Sequence, residues 1–173
     1  MLLNLTDALT KEGTTETFSL VYEGDILRSV PGEYKVIKNG PVELTISSTE
    51  KGRALITGKG SFTFGARCDR CLKEVPVTVD ISIEEEISSE QIEHPADADE
   101  FPYLKGYQLD TQILIGNEIL INWPGKILCK EDCKGICTKC GKDLNQGECG
   151  CDTFVPDPRM AVIQDIFNAN KEV

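Results

Sequence analysis

Histidine is nearly missing from this chain: His94 is the one copy among 173 residues. A Ser-His-Asp set has nothing to build on when that imidazole sits in an acidic stretch beside Pro95. The acidic pairs likewise lack the histidine ligands or motif spacing of a metallohydrolase. No glycine loop for nucleotides is present, since Gly58-Lys59-Gly60-Ser61 is too short for a phosphate-binding loop. Long apolar runs are missing too. Stretches such as Ile113-Leu114-Ile115 fall far short of the roughly 20 residues a membrane helix needs. Met1-Leu2-Leu3-Asn4 leads into Thr6, Asp7 and Lys11 with no apolar stretch behind a basic start, so the expected location is a reducing cytoplasm.

Positive charge is also short. Eighteen basic groups face 29 acidic ones, for a net charge of −11. Nucleic-acid affinity rests mainly on Lys and Arg, so the balance argues against a general phosphate binder. It favours a protein partner, or a local basic patch that does any nucleic-acid work. The acid is uneven. Residues 1–67 carry eight basic and eight acidic groups, whereas residues 68–110 carry three and twelve.

What the chain does have is cysteine: Cys68, Cys71, Cys129, Cys133, Cys137, Cys140, Cys149 and Cys151. Disulfides are rare in a reducing compartment, where clustered thiols more often hold metal. The spacing is C-x2-C, a long gap, then C-x3-C-x3-C-x2-C-x8-C-x-C. Zinc takes four thiolates at about 2.3 Å, and a C-x2-C turn presents two of them to one ion. Eight cysteines suffice for two such sites. Cys137-Thr138-Lys139-Cys140-Gly141 is the better knuckle, because glycine after the second cysteine eases the turn. Cys149 and Cys151 close its shell within fifteen residues. Cys68, Cys71, Cys129 and Cys133 remain as a second set, riveting distant segments together. An alternative partition moves Cys129 or Cys133 to the Cys137–Cys140 knuckle, and four thiolates also suit an iron–sulfur cluster. The expected cofactor is zinc, in one or two structural four-Cys sites with no coordination position left for water, and the chain is expected not to be an enzyme.

The expected fold is α+β: a mainly antiparallel β-sheet domain with two helices and a C-terminal cysteine-rich, zinc-ribbon-like segment. Thr17–Tyr22 alternates polar and apolar residues as a half-buried strand does. Tyr34–Lys38 and Val42–Ile46 flank Asn39-Gly40 and predict a hairpin. Ala54–Gly58 and Ser61–Arg67 predict strand interrupted by a glycine kink or bulge. Val75, Val77, Val79, Ile81 and Ile83 predict one buried strand face. Residues 84–102 turn acidic and predict a solvated loop. Asp110 caps a helix over about 110–121 that ends at Trp123-Pro124-Gly125. Asp157-Pro158 starts a last helix with Met160, Ile163, Ile166 and Phe167 on one stripe. The expected division is a β-rich domain over 1–125 and a cysteine-rich zinc-binding segment with the C-terminal helix over 126–173.

Cys68-Asp69-Arg70-Cys71 after a strand, then an acidic stretch, then Ile119–Pro124, then Leu128–Asn145 with its cysteines, then Asp157-Pro158-Arg159-Met160 form an ordered pattern. It resembles the bacterial YceD family of large ribosomal RNA subunit accumulation proteins, over roughly residues 15–170. The resemblance implies a non-enzymatic, cytoplasmic ribosome-biogenesis factor that binds a ribosomal protein or the large-subunit rRNA precursor. No membrane and no small-molecule substrate are expected as partners. Some members of that family keep only the first C-x2-C and a later His or Cys pair, which supports Cys129 and Cys133 as partners of Cys68 and Cys71. Lys126, Lys130, Lys134, Lys139 and Lys142 are the local candidates for touching phosphates or an acidic surface. Two other readings stand beside this one: a thiol redox or metal-handling protein using Cys68 and Cys71, and a zinc-ribbon adaptor for transcription, which lacks a basic recognition helix.

Overall fold

The computed structural model describes residues 1–24, 26–29, 32–94 and 101–152. The helix expected from Asp157 lies outside these residues. Nine strands and three short-to-medium helices occur among them: β1 (Leu2–Asn4), α1 (Thr6–Thr10), β2 (Thr15–Leu20), β3 (Ile26–Ser29), β4 (Gly32–Asn39), β5 (Val42–Glu50), β6 (Arg53–Arg67), β7 (Glu74–Ser88), α2 (Ser89–Glu93), β8 (Leu104–Lys105), β9 (Gln108–Asp110) and α3 (Thr111–Ile121). All strand pairs are antiparallel. They form a six-stranded sheet and a small β1-β9-β8 sheet. The α+β class expected from the sequence is the fold observed.

The β6–β7 hairpin is the backbone of the molecule. Its register runs unbroken from Arg53↔Ser88 to Arg67↔Glu74. Period-two patterning explains why. Ala54, Ile56, Phe62, Phe64 and Ala66 of β6 and Val79, Ile81, Ile83 and Ile87 of β7 are all buried on the same face. The glycine-rich stretch Gly58–Gly60 therefore does not kink or bulge β6, as the sequence suggested. The phase of burial never slips through it. The acidic run Glu84–Glu86 is likewise not loop. It continues β7, with Glu84 and Glu86 in the exposed row and Glu85 half-buried. Alternating acids are compatible with a strand whose other face is wet. Ser88-Ser89-Glu90-Gln91 then forms a capping box that opens α2.

The Asn39-Gly40 signal also reads differently in three dimensions. β4 and β5 do not pair with each other. Both pair with β6, β4 along Phe62–Gly65 and β5 along Arg53–Lys59. Gly40-Pro41 is thus the joint between two strands laid end to end on one edge of β6. The Gly40 N–H donates to the Ser61 carbonyl at 3.2 Å. A Cβ at this position would lie 2.7 Å from the same oxygen. Glycine is required here by close backbone approach and not by a hairpin turn.

Helix α3 starts where expected. The Asp110 side chain accepts from the Gln112 N–H, and Thr111 donates to the Met1 carbonyl at 3.0 Å. Leu114, Ile115 and Ile119 are buried against the sheet core. Beyond its end, Trp123 lays its ring 4.4 Å from Tyr34 and meets Phe64 edge-on at 5.2 Å. That contact aims the following segment at the tip of the β6–β7 hairpin.

Gly40→Ala is expected to lower unfolding stability by about 1–3 kcal/mol, the usual cost of forcing extra volume into a filled site. Equilibrium denaturation followed by Trp123 fluorescence measures it. An unchanged midpoint would contradict the end-to-end joint.

Candidate metal centres

The loop that joins β6 to β7 spans residues 68–73 and contains the first C-x2-C. Cys68 N–H donates to the Lys73 carbonyl at 2.8 Å, and Leu72 N–H donates to the Cys68 carbonyl at 2.9 Å. The second C-x2-C repeats this pattern. Cys137 N–H donates to Lys142 O and Gly141 N–H donates to Cys137 O, each at 2.9 Å. The residue after the second cysteine is left-handed in both, at φ 61 for Leu72 and φ 72 for Gly141. The two knuckles are therefore congruent, although only the second carries the glycine that the conformation favours. Leucine in this region is strained.

The segment 126–133 folds back onto the first knuckle. Asp69 N–H donates to the Ile127 carbonyl at 2.8 Å, and Ile127 N–H returns a bond to the Asp69 carboxylate at 2.7 Å. Arg70 donates to the Cys133 carbonyl at 2.7 Å. Four sulfurs meet as a result. Cys68 and Cys133 stand 3.8 Å apart and Cys71 and Cys129 3.4 Å apart. All four ligand atoms lie within 4.8 Å of one another, as do those of Cys137, Cys140, Cys149 and Cys151. No cysteine is shared between the groups. Disulfide sulfurs would be about 2.05 Å apart. Sulfurs placed 2.3 Å from the centre of a tetrahedron are separated by about 3.8 Å. The donor sets thus fit a tetrahedral, thiophilic cation. Cys68, Cys71 and Cys133 are buried, whereas Cys140 of the other group is exposed.

The electrostatics fit the same description. Burial pushes the Cys68 thiol up, but N–H groups of Cys71, Cys129 and Arg70 aimed at its sulfur outweigh this and bring it to about 6. N–H groups of Cys140 and Lys139 bring Cys137 to about 6 as well. Other thiols of each group are held the other way. The Cys71 thiol and burial push Cys129 up to about 12, and Cys140 and Cys149 push Cys151 up to about 12. Four sulfurs this close cannot all ionise by themselves. A divalent cation between them removes the conflict.

The centres also touch each other. Lys73, next to the first knuckle, pairs with Asp143 of the second centre's loop at 2.7 Å. That contact, joined by the Asn145 N–H, holds the Asp143 carboxyl down at about 2. Sequence reasoning missed Leu72, Lys73, Asp143 and Asn145. Asp143-Leu144-Asn145 carries the signature of a side-chain-capped turn, but nothing in the sequence signals where that turn lands. His94 caps the end of α2 and joins neither cysteine group. Of the five lysines, Lys130 pairs with Asp132 at 3.5 Å and Lys142 donates to the Glu148 carbonyl at 2.9 Å. The Cys68–Cys71 pair does not stand alone as a redox couple would, since each sulfur has one from Cys133 or Cys129 beside it.

Fold and site together define an antiparallel-sheet protein with two four-cysteine centres, one at the tip of its longest hairpin. The chain belongs to the family described as "Large ribosomal RNA subunit accumulation protein YceD", whose model matches residues 56–167. No curated protein and no solved structure matches it.

The congruent knuckles make a paired prediction. Leu72→Gly removes left-handed strain and is expected to raise stability by up to about 1 kcal/mol, whereas Gly141→Ala introduces it and costs about 1–2 kcal/mol. Denaturation of both variants checks this; a loss on Leu72→Gly would show that the knuckles are not equivalent.

Proposed function

We propose that this chain is a non-enzymatic zinc protein of the cytoplasm that supports accumulation of large-subunit ribosomal RNA by binding the rRNA precursor or a ribosomal protein. The observation that carries the metal part is the convergence of eight thiols into two separate sets of four. Zinc is the ion favoured by an all-thiolate tetrahedral set. Four protein ligands leave it no open position for substrate or water, so its work is structural. The biological part rests on membership of the accumulation-protein family.

The organisation we propose is a β-rich unit over 1–125 and a cysteine-rich unit over 126–173, pinned together by Cys68, Cys71, Cys129 and Cys133. Zinc on eight thiolates makes the chain still more acidic than −11. Tight, direct RNA binding is therefore less favoured than a protein-assisted complex, with Lys126, Lys134 and Lys139 near the centres as contacts. A thiol-redox function draws support from the lowered Cys68 thiol alone, and is disfavoured because Cys68 and Cys71 sit in a group of four sulfurs and not as a separate pair.

The reading predicts that cells lacking this protein have a lowered ratio of large- to small-subunit rRNA, restored by the wild-type chain and not by Cys71→Ser. The zinc-loaded chain, used as bait in a low-salt lysate, is expected to recover large-subunit rRNA or a ribosomal protein. Recovery of neither, with a normal rRNA ratio, contradicts the proposal. All eight thiols are expected to resist alkylation until a chelator is added. Fast modification of Cys68 and Cys71 in the untreated protein would instead support redox chemistry.

A further inference from the structure

Between Cys140 and Cys149 the chain makes one short 3-10 turn, Leu144–Gln146. This turn belongs to the second centre by sequence, yet its middle residue serves the first. The Asn145 side-chain amide donates to the Cys133 sulfur at 3.4 Å and to the Asp143 carboxylate at 2.8 Å. Its carbonyl oxygen accepts from the Lys134 N–H at 3.0 Å. The turn is held in place from three sides. Leu144 N–H donates to the Gly135 carbonyl at 2.9 Å, Ile136 and Asp143 form an antiparallel bridge, and Lys73 grips Asp143 from the first knuckle. Cys133 is 2% exposed. Its sulfur has almost no access to water, so charge on it depends on protein donors. A thiolate that loses such a donor binds its ion less well, and outer-shell partners of this kind shift metal affinity about 10–100-fold.

We infer that Asn145 is a positioning residue that couples the two centres: closing Cys137, Cys140, Cys149 and Cys151 on one metal ion fixes the turn that puts the Asn145 amide on Cys133, so filling the second centre tightens the first. Linkage makes the effect reciprocal, with the first centre tightening the second by the same factor. The device favours the doubly metallated chain over one with a single centre filled. This inference rests on the metal-binding reading above.

The test is zinc release from the full-length chain to a chromogenic chelator, with far-UV circular dichroism confirming the fold. In Asn145→Ala, zinc is expected to leave at least about ten-fold faster. Asn145→Asp, which replaces the donor by a carboxylate beside the thiolate, is expected to be worse. In Cys149→Ser/Cys151→Ser, one zinc should remain, held about ten-fold more weakly than in the parent, and adding Asn145→Ala should weaken it little further. With cobalt(II) in place of zinc, loss of the N–H donor should move the thiolate-to-cobalt charge-transfer band to longer wavelength. Should Asn145→Ala not fold, Asn145→Ser keeps a turn-forming side chain too short to reach Cys133 and gives the same readouts. First-centre zinc held at parental affinity without the second centre, or losses that simply add, would overturn the coupling. A parent chain that binds no metal would overturn the metal-centre reading itself; two ions with independent affinities would overturn only the coupling.

Discussion

The structure turns on four cysteine sulfurs drawn from both ends of a long loop into a volume a few ångströms across. Cys71 and Cys129 are 58 positions apart in sequence and 3.4 Å apart in space. Ordering so much chain costs entropy that grows slowly with length, so one strong clamp offsets a loop of this size almost as well as a shorter one. An ion in a four-Cys site supplies on the order of 10 kcal/mol, a large fraction of what an ordinary domain has in total. The β6–β7 hairpin provides the rigid half of the clamp. Its continuous register holds Cys68 and Cys71 at one end, and Trp123, packed on Tyr34 and Phe64, delivers the other half.

Charge is sorted along the same axis. Residues 74–94 contain no Lys or Arg and seven acids, so much of β7 and all of α2 carry one sign. Arg70, Lys73, Lys126, Lys130, Lys134, Lys139 and Lys142 instead flank the cysteines in sequence. Thiolates bound to a divalent ion remain net negative, and nearby ammonium groups offset part of that charge. Some of these cations are spent internally, as in the Lys73–Asp143 pair. The acidic strand also acts on helix α3: burial first and then the charge of Glu85 on β7 push the Glu118 carboxyl up.

Period-two patterning made β7 legible in the sequence, and the Asp110 cap made α3 legible, because both signals are local. Cysteine spacing marked the Cys137–Cys151 centre for the same reason, whereas the first centre, with halves 58 positions apart, was reached as the remaining four cysteines. The β4–β5 joint was not legible, since Asn-Gly reports a tight backbone and cannot say whether the chain reverses or continues. β6 looked broken because glycine lowers strand propensity, while three partner strands overrode that preference. The acidic composition of residues 84–93 hid the end of a strand and a capping box that pattern alone would have found. Leu72 had no signal at all, and Asn145 had only that of a turn. Their roles come from tertiary placement, one in a strained knuckle and one across two centres.

The central claim is that metal on cysteine sulfur holds the two halves of the chain together. Elemental analysis of the purified protein, paired with a thermal melt before and after chelation, tests it most directly. The account predicts two zinc ions per chain and a melt that loses cooperativity once they are withdrawn. A protein free of metal that melts cooperatively, with a midpoint indifferent to chelator, would contradict it.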